Sequence, residues 1–324
     1  MHNLVVSFNV PEQEKKVIED TLRDSCSVSF LLDLPQAQRM AAISGADIVL
    51  SWSPSREYEE NEFYFMGNVR LLQLVSAGAD HLPFSRLRPD MVVAGNIGAY
   101  AQPMAEHVIA MTLALLKKLM PGHRKLSEGV FEHIDTRMLD GLTCGILGYG
   151  GIGKAVARYM RAFHVKIAAV NTSGKTDEDV AFIGTLKDLD SVLSQSDIVV
   201  ITLPLNKHTK GIIGRMQLDT MKKDALLINV ARGEIVDQGA LYDHLKANPY
   251  FMAGIDAWWV EPFRHGEFRI DYPFFDLPNL LGSPHNSAIV PQVMEMGVHA
   301  ALENILRFVR DEQIKGVVDF KDYI

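Results

Sequence analysis

The sequence has 324 residues, 48% hydrophobic and 22% charged, with 32 Lys and Arg against 40 Asp and Glu for a net charge of −8. That length accommodates two domains and a large core, and the acidic balance argues against nucleic acid or an anionic membrane as the main partner. The two cysteines, Cys26 and Cys144, lack metal or redox spacing and read as free thiols of a reducing, cytoplasmic compartment. The opening MHNLVVSFNV lacks the basic start and long apolar segment of a signal peptide. The longest apolar stretch, 108–116, is interrupted by Thr112 and is too short to span a bilayer.

The first hundred residues alternate strand and helix signals. Residues 4–8 read as a strand, and Pro11 opens an amphipathic helix through Val17, Ile18 and Leu22. A second strand at 27–32 precedes a helix near 36–43, and a buried strand at 46–52 runs into the turn Ser53-Pro54-Ser55. The strand at 71–75 then leads into SAGADH, residues 76–81. This is a parallel α/β unit in its own right. Residues 103–120 predict a helix that is apolar almost all round, through Met104, Val108, Ile109, Met111, Leu113, Leu115, Leu116, Leu119 and Met120. Such a helix must be covered on several sides, which points to a central position and to the interface of a homodimer.

The stretch TCGILGYGGIG, 143–153, organises the rest. A short apolar run enters Gly148, Gly150 and Gly153 at G-x-G-x-x-G spacing, and Ala155, Val156, Tyr159 and Met160 follow at helical spacing. Strand, tight turn and helix are the context in which that pattern marks a dinucleotide site. The first-turn amides of Gly151, Ile152 and Gly153 then face the phosphates together with the positive end of the helix dipole. Further strands are predicted at 165–170, 197–203, 224–230, 251–256 and 280–282, with helices at 238–246 and, more weakly, 184–194. The implied architecture is α/β, with a doubly wound parallel (Rossmann-type) dinucleotide domain at 102–287. A smaller substrate domain would be built from 1–101 and 288–324. The last helix, 291–310, with Val293, Met296, Ala300, Ile305 and Phe308 on its apolar face, would cross back to that first domain, leaving the cofactor in the cleft.

Ionisable residues recur at the predicted strand ends. They lie in 229–237 (NVARGEIVD), 256–262 (DAWWVEP) and 283–288 (SPHNSA). Taken singly, Arg232 reads as a surface arginine, Glu261 as a loop carboxylate and His285 as a core or capping histidine. Together at successive strand ends they make a set suited to proton and hydride chemistry.

With these blocks in view, the sequence resembles the D-isomer-specific 2-hydroxyacid dehydrogenases, and among them the glyoxylate and hydroxypyruvate reductases. The resemblance runs through the glycine loop, LPLNKHTKGIIG at 203–214, VARGEIVD at 230–237, the 256–262 segment and SPH at 283–285. It implies a smaller flavodoxin-like substrate domain, and Arg232, Glu261 and His285 as the catalytic arginine, glutamate and histidine. It further implies that Ala77 and Gly78 hold the substrate carboxylate through their amides, and that Asp256 fixes the nicotinamide carboxamide. Leu203, Pro204, Val230, Ala231 and His285 join the cofactor set. Tyr100, with Trp52 and Ser53, is expected to shape the substrate pocket. In such a reaction His285 supplies the proton, Glu261 favours its imidazolium form, and Arg232 grips carboxylate and carbonyl.

Two departures stand out. The strand at 165–170 ends not in a carboxylate but in Asn171-Thr172-Ser173-Gly174-Lys175, so nothing there repels a 2′-phosphate and NADP is expected ahead of NAD. Trp258 and Trp259 adjoin the catalytic glutamate and either wall a pocket or pack in the interior. The expected activity is reduction of a small 2-keto acid such as glyoxylate, hydroxypyruvate or pyruvate, without metal. A formate dehydrogenase would carry glutamine in place of Glu261, and a dinucleotide-sensing regulator on the same fold is the remaining alternative.

Overall fold

The computed structural model describes residues 1–324, in two compact units: Met1–Tyr100 with Val290–Ile324, and Ala101–Ile289. The first unit carries β1 (His2–Val6), α1 (Glu12–Leu22), β2 (Cys26–Phe30), α2 (Gln36–Ser44), β3 (Ile48–Ser51), the single turn α3 (Pro54–Glu57), β4 (Leu71–Leu74) and β5 (Val92–Ala94). Its strands form one parallel sheet in the order β2-β1-β3-β4-β5, the flavodoxin-like order. β5 has only three residues, too few for a periodic signal, and the sequence reading does not contain it.

Both faces of this sheet are covered, as a parallel sheet requires. Val5, Val49, Leu72 and Val93 face one core, with Tyr58, Phe63 and Phe84. Leu4, Val6, Ile48, Leu50 and Leu71 face the other, where Val298, Ala301, Leu302 and Ile305 of the final helix (Val293–Val309) cover them. The alternation has the two-residue period of strands. Polar pins fix this helix to the sheet. Asn304 Nδ2 donates to Gln73 Oε1 (3.0 Å), and Asn96 Nδ2 donates to the Gly297 carbonyl (2.8 Å).

The second unit continues with α4 (Ala101–Leu116), α5 (Leu119–Ser127), β6 (Thr143–Leu147), α6 (Gly151–Arg161), β7 (Lys166–Val170), β8 (Phe182–Gly184), α7 (Leu189–Gln195) and β9 (Ile198–Ile201). It ends with α8 (Arg215–Thr220), β10 (Leu226–Asn229), α9 (Gln238–Ala247), β11 (Met252–Ile255), the single turn α10 (Pro262–His265) and β12 (Leu280–Gly282). Its seven strands are all parallel, in the order β12-β11-β10-β9-β6-β7-β8. Strand order reverses between β6 and β9, so the ligand crevice of such a sheet lies at their carboxyl ends.

The helix expected over 103–120 is two helices. α4 ends at Leu116, Lys118 takes a left-handed conformation (φ 49°), and α5 restarts at Leu119. The apolar pattern runs through this break, so periodicity alone does not reveal it. Val108, Met111, Leu115 and Leu116 of α4 are buried against β6, α6 and β10, while Leu119, Met120 and Leu126 beyond it are exposed. No helix is long and apolar enough to cross a membrane.

Candidate active site

The glycine turn between β6 and α6 has the backbone its sequence demands. Gly148 has φ +106°, and a Cβ there would stand 2.8 Å from the carbonyl carbon of Thr202 at the end of β9. A Cβ at Gly153 would run into the Gly148 carbonyl oxygen, so its absence lets α6 sit on the turn. At Gly150 a Cβ would meet nothing within 4 Å. That last glycine relieves no internal crowding; it keeps an open face clear. The first turn of α6 has no side-chain cap, so its amides at Gly151, Ile152 and Gly153 have no helical carbonyl to bond. An open face lined by unspent amides at a helix N-terminus fits a pyrophosphate.

At the end of β10, Asn229 is wholly buried and folds the following turn around itself. Its Oδ1 accepts from Ala231 N (3.0 Å) and its Nδ2 donates to the Arg232 carbonyl (2.8 Å). Arg232 is half-buried, with Nη1 donating to the Ala231 carbonyl (2.7 Å). Gly233 follows because a Cβ there would collide with the backbone of Trp258 and Trp259. The loop carrying Arg232 therefore lies directly on the one leading to Glu261. Arg264 Nη1 closes the clamp on Glu234, 2.9 Å from Oε1.

Beyond β11, Asp256 is also wholly buried and organises the third loop. Its Oδ1 accepts from Ser283 Oγ (2.5 Å) and Asn286 N (3.0 Å), its Oδ2 from Ser287 N (3.1 Å), and its carbonyl from His285 N (2.9 Å). The carboxylate thus anchors the His285 turn. Within this turn His285 has φ +52°, a left-handed conformation that a side-chain-bearing residue holds only when its surroundings impose it.

The His285 imidazole meets Glu261 through Nδ1, 2.7 Å from Oε1. The carboxylate is 2% exposed and the imidazole 23%. A carboxylate only accepts, so Nδ1 carries the proton and Nε2 is left for chemistry. Glu261 Oε1 also accepts from Trp258 N (2.7 Å), while Oε2 is buried without a hydrogen bond. Phe263 stands edge-on to the imidazole at 4.9 Å.

A cavity of about 450 Å³ adjoins this pair, lined by Trp258, Phe263, Phe268, Phe275, Glu261 and His285 among others. Trp258 walls it and donates from Nε1 to the Ser283 carbonyl (2.8 Å). Trp259 turns into the core instead, stacked on Phe274 at 5.4 Å, with Nε1 donating to the Val236 carbonyl. The two tryptophans therefore divide the alternatives between them.

Asn171, at the end of β7, uses both ends of its amide to shape its own loop. Oδ1 accepts from Gly174 N (2.7 Å) and Nδ2 donates to the Lys175 carbonyl (2.8 Å). Thr172, Ser173 and Lys175 are exposed on that loop. Leu203 is buried and Pro204 exposed at the end of β9, while Val230 and Ala231 are buried after β10.

In the first unit, Ala77 and Gly78 are half-buried just past β4, and neither amide is spent on a backbone carbonyl. Glu57 fixes the neighbouring strand ends. It accepts from Ser7 Oγ and Ser51 Oγ (both 2.5 Å), Trp52 N (3.1 Å) and Ser53 N (2.5 Å). Ser55 Oγ ties this loop to the His81 carbonyl (2.7 Å). Tyr100 is 6% exposed and gives its hydroxyl to the Val75 carbonyl (2.8 Å), so it braces the 76–78 loop rather than presenting a free hydroxyl. The sequence reading gives no role to Asn229 or Glu57; the one available signal is a polar residue at or beside the end of an apolar strand.

Residues 109–287 match the family model described as D-isomer specific 2-hydroxyacid dehydrogenase, NAD binding domain. Glycerate dehydrogenase of Methylorubrum extorquens is 32% identical over 251 residues, 75% of this chain and 76% of that protein. Glyoxylate reductase of Pyrococcus furiosus is 25% identical over 290 residues, 86% of this chain and 84% of that protein. A crystal structure from Pyrobaculum aerophilum, provisionally assigned as a formate dehydrogenase, superposes with a TM-score of 0.83 at 26% identity, over 99% of this chain and all of that one. The chain belongs to the D-isomer specific 2-hydroxyacid dehydrogenases, NAD(P)-dependent enzymes acting on CH–OH donors, and the stretch that matches the NAD binding domain lies within Ala101–Ile289.

Proposed function

We propose that this enzyme reduces a small 2-keto acid, of the glyoxylate, hydroxypyruvate or pyruvate class, to the D-2-hydroxy acid. The observation that carries this reading is the buried Glu261–His285 pair at the carboxyl end of the sheet that bears the glycine turn. The bound dinucleotide supplies the hydride. As negative charge builds on the substrate oxygen, His285 delivers a proton from Nε2, while Glu261 stabilises the imidazolium through Nδ1. In the oxidative direction neutral Nε2 removes that proton. Arg232 binds the carboxylate and polarises the carbonyl with its planar fork. The Ala77 and Gly78 amides complete the carboxylate's hydrogen bonding without adding charge. The relatives support the substrate class by their names, glycerate dehydrogenase and glyoxylate reductase.

The cofactor we assign is NADPH ahead of NADH, because β7 ends without a carboxylate and Lys175 is exposed on the loop that Asn171 shapes. A homodimer is supported by the apolar side chains exposed around α5 and its trailing segment, where Met120 is 59%, Phe131 84% and Met138 64% exposed. The two cysteines are buried free thiols, which supports a reducing compartment such as the cytoplasm.

Four outcomes test these assignments. His285→Ala should lower kcat on a keto-acid panel by roughly 10²–10⁴-fold with the dinucleotide Kd nearly unchanged; retained turnover would remove His285 from the reaction. Formate belongs in the same panel, and turnover of formate alone would replace the keto-acid reading. Gly148→Ala and Gly150→Ala should separate folding from binding. The first, strained at φ +106° and crowded by Thr202, should lose more than about 1 kcal/mol of stability. The second should keep its Tm and lose dinucleotide affinity, and normal affinity there would deny the open face its phosphate. Asn171→Asp should depress kcat/KM for NADPH far more than for NADH, by placing a negative charge against the 2′-phosphate. A wild-type preference for NADH at both low and moderate salt would overturn the cofactor assignment. Light scattering should give twice the chain mass, with Phe131→Asp shifting it towards one; a monomeric wild type would discard the dimer.

A further inference from the structure

His107 lies on α4 with its imidazole 23% exposed, and the chemistry described above does not use it. Its Nε2 is 2.9 Å from Ser283 Oγ, and Ser283 Oγ is 2.5 Å from Asp256 Oδ1. The direct distance from His107 Nε2 to that carboxylate oxygen is 3.6 Å. All three side chains belong to the dinucleotide-binding unit. Proton bookkeeping orders the chain. Asp256 only accepts, so the Ser283 hydroxyl hydrogen points at it. The Ser283 oxygen then has lone pairs to offer, and His107 donates to it from Nε2.

The Asp256 carboxylate at the end of this chain holds Asn286 N and Ser287 N, and the residue's carbonyl holds His285 N. His285 itself has φ +52°. A turn in that conformation relaxes unless hydrogen bonds outside it hold it. α4 is a firm base for such a hold, because Ala105 and Val108, on either side of His107, are completely buried. A polar ring turned inward from such a helix is costly unless it has a partner, and Ser283 is that partner.

We propose that His107 is a positioning residue for the acid/base turn. Its Nε2–H, acting through the Ser283 hydroxyl and the Asp256 carboxylate, holds residues 283–287 so that His285 stays against Glu261. This rests on the reading of His285 as the acid/base group, and the test separates the two.

The experiment compares His107→Phe, His107→Gln, Ser283→Ala and His107→Phe/Ser283→Ala with the wild type. Glutamine returns an N–H donor at similar reach, whereas phenylalanine fills the space without one. His107→Phe should lose about tenfold in kcat, the scale of one buried hydrogen bond, with KM and dinucleotide Kd within about twofold. His107→Gln should recover most of that loss. The double variant should be no worse than the poorer single one, since both substitutions break the same chain. A second readout needs no turnover. In cofactor-free protein the His285 Nδ1 proton, held against Glu261, should give a resolved downfield NMR resonance in the wild type and His107→Gln. It should broaden or vanish in His107→Phe.

Unchanged kcat and an unchanged resonance in His107→Phe would overturn the proposal. Equal loss in His107→Phe and His107→Gln would also overturn it, because ring packing rather than the donor would then be at work. If His107→Phe does not fold, Ser283→Ala must still lower kcat and broaden the resonance, and its failure to do so overturns the proposal. Turnover surviving in His285→Ala would instead strike the acid/base reading. An inactive His285→Ala beside a fully active His107→Phe strikes this inference alone.

Discussion

The chemistry of the dinucleotide unit depends on two polar side chains buried beside the ends of apolar strands. Asn229 closes β10 and Asp256 follows β11, and both are wholly inaccessible. A buried amide or carboxylate without partners is costly. The strands cannot supply those partners, because their backbone groups are already paired in the ladder. Asn229 is satisfied when the next few residues fold back over it, and Asp256 when the distant residues 283–287 close on it. Asn229 thereby determines where Arg232 lies, and Asp256 determines where His285 lies. The two functional loops inherit the rigidity of the sheet without being part of it, as a preorganised site requires.

Close packing couples those loops. Gly233 lets the Arg232 loop lie against the Trp258–Trp259 backbone, and Arg264 pairs with Glu234 across the same seam. The loop of Arg232 is thus packed against the one that leads to Glu261, which in turn meets His285. The first unit uses the same device. Glu57 collects two hydroxyls and two amides at the ends of β1 and β3, and Tyr100 spends its hydroxyl on the carbonyl that precedes the 76–78 loop. In each unit the buried polar residues that shape these loops differ from the ones proposed to grip the substrate carboxylate or to move the proton.

That distinction marks what the sequence discloses. The glycine turn and the parallel strands are legible through spacing and periodicity, and the loops that carry Arg232, Glu261 and His285 through blocks of fixed order. Asp256 is legible as a carboxylate at a strand end, but its hold on the His285 turn is not. That hold depends on residues 283–287, distant in sequence. The break at Lys118 escapes for a related reason, because side-chain hydrophobicity continues across a change in backbone angle. The three-residue β5 escapes because it is shorter than the window in which alternation can be seen.

The Glu261 carboxylate closes the physical argument. One of its oxygens serves both Trp258 N and His285 Nδ1, and the other is buried with no hydrogen bond. For shape alone a glutamine would do as well: its carbonyl oxygen could accept from the same two donors. The bare buried oxygen carries a desolvation cost that structure by itself does not recover. What a carboxylate adds is charge at hydrogen-bond distance from an imidazole. That charge has little to do while the ring is neutral, and it stabilises the ring once Nε2 is protonated. The cost borne by Oε2 is therefore offset in the protonated ring, the state on which the acid/base role we propose for His285 depends.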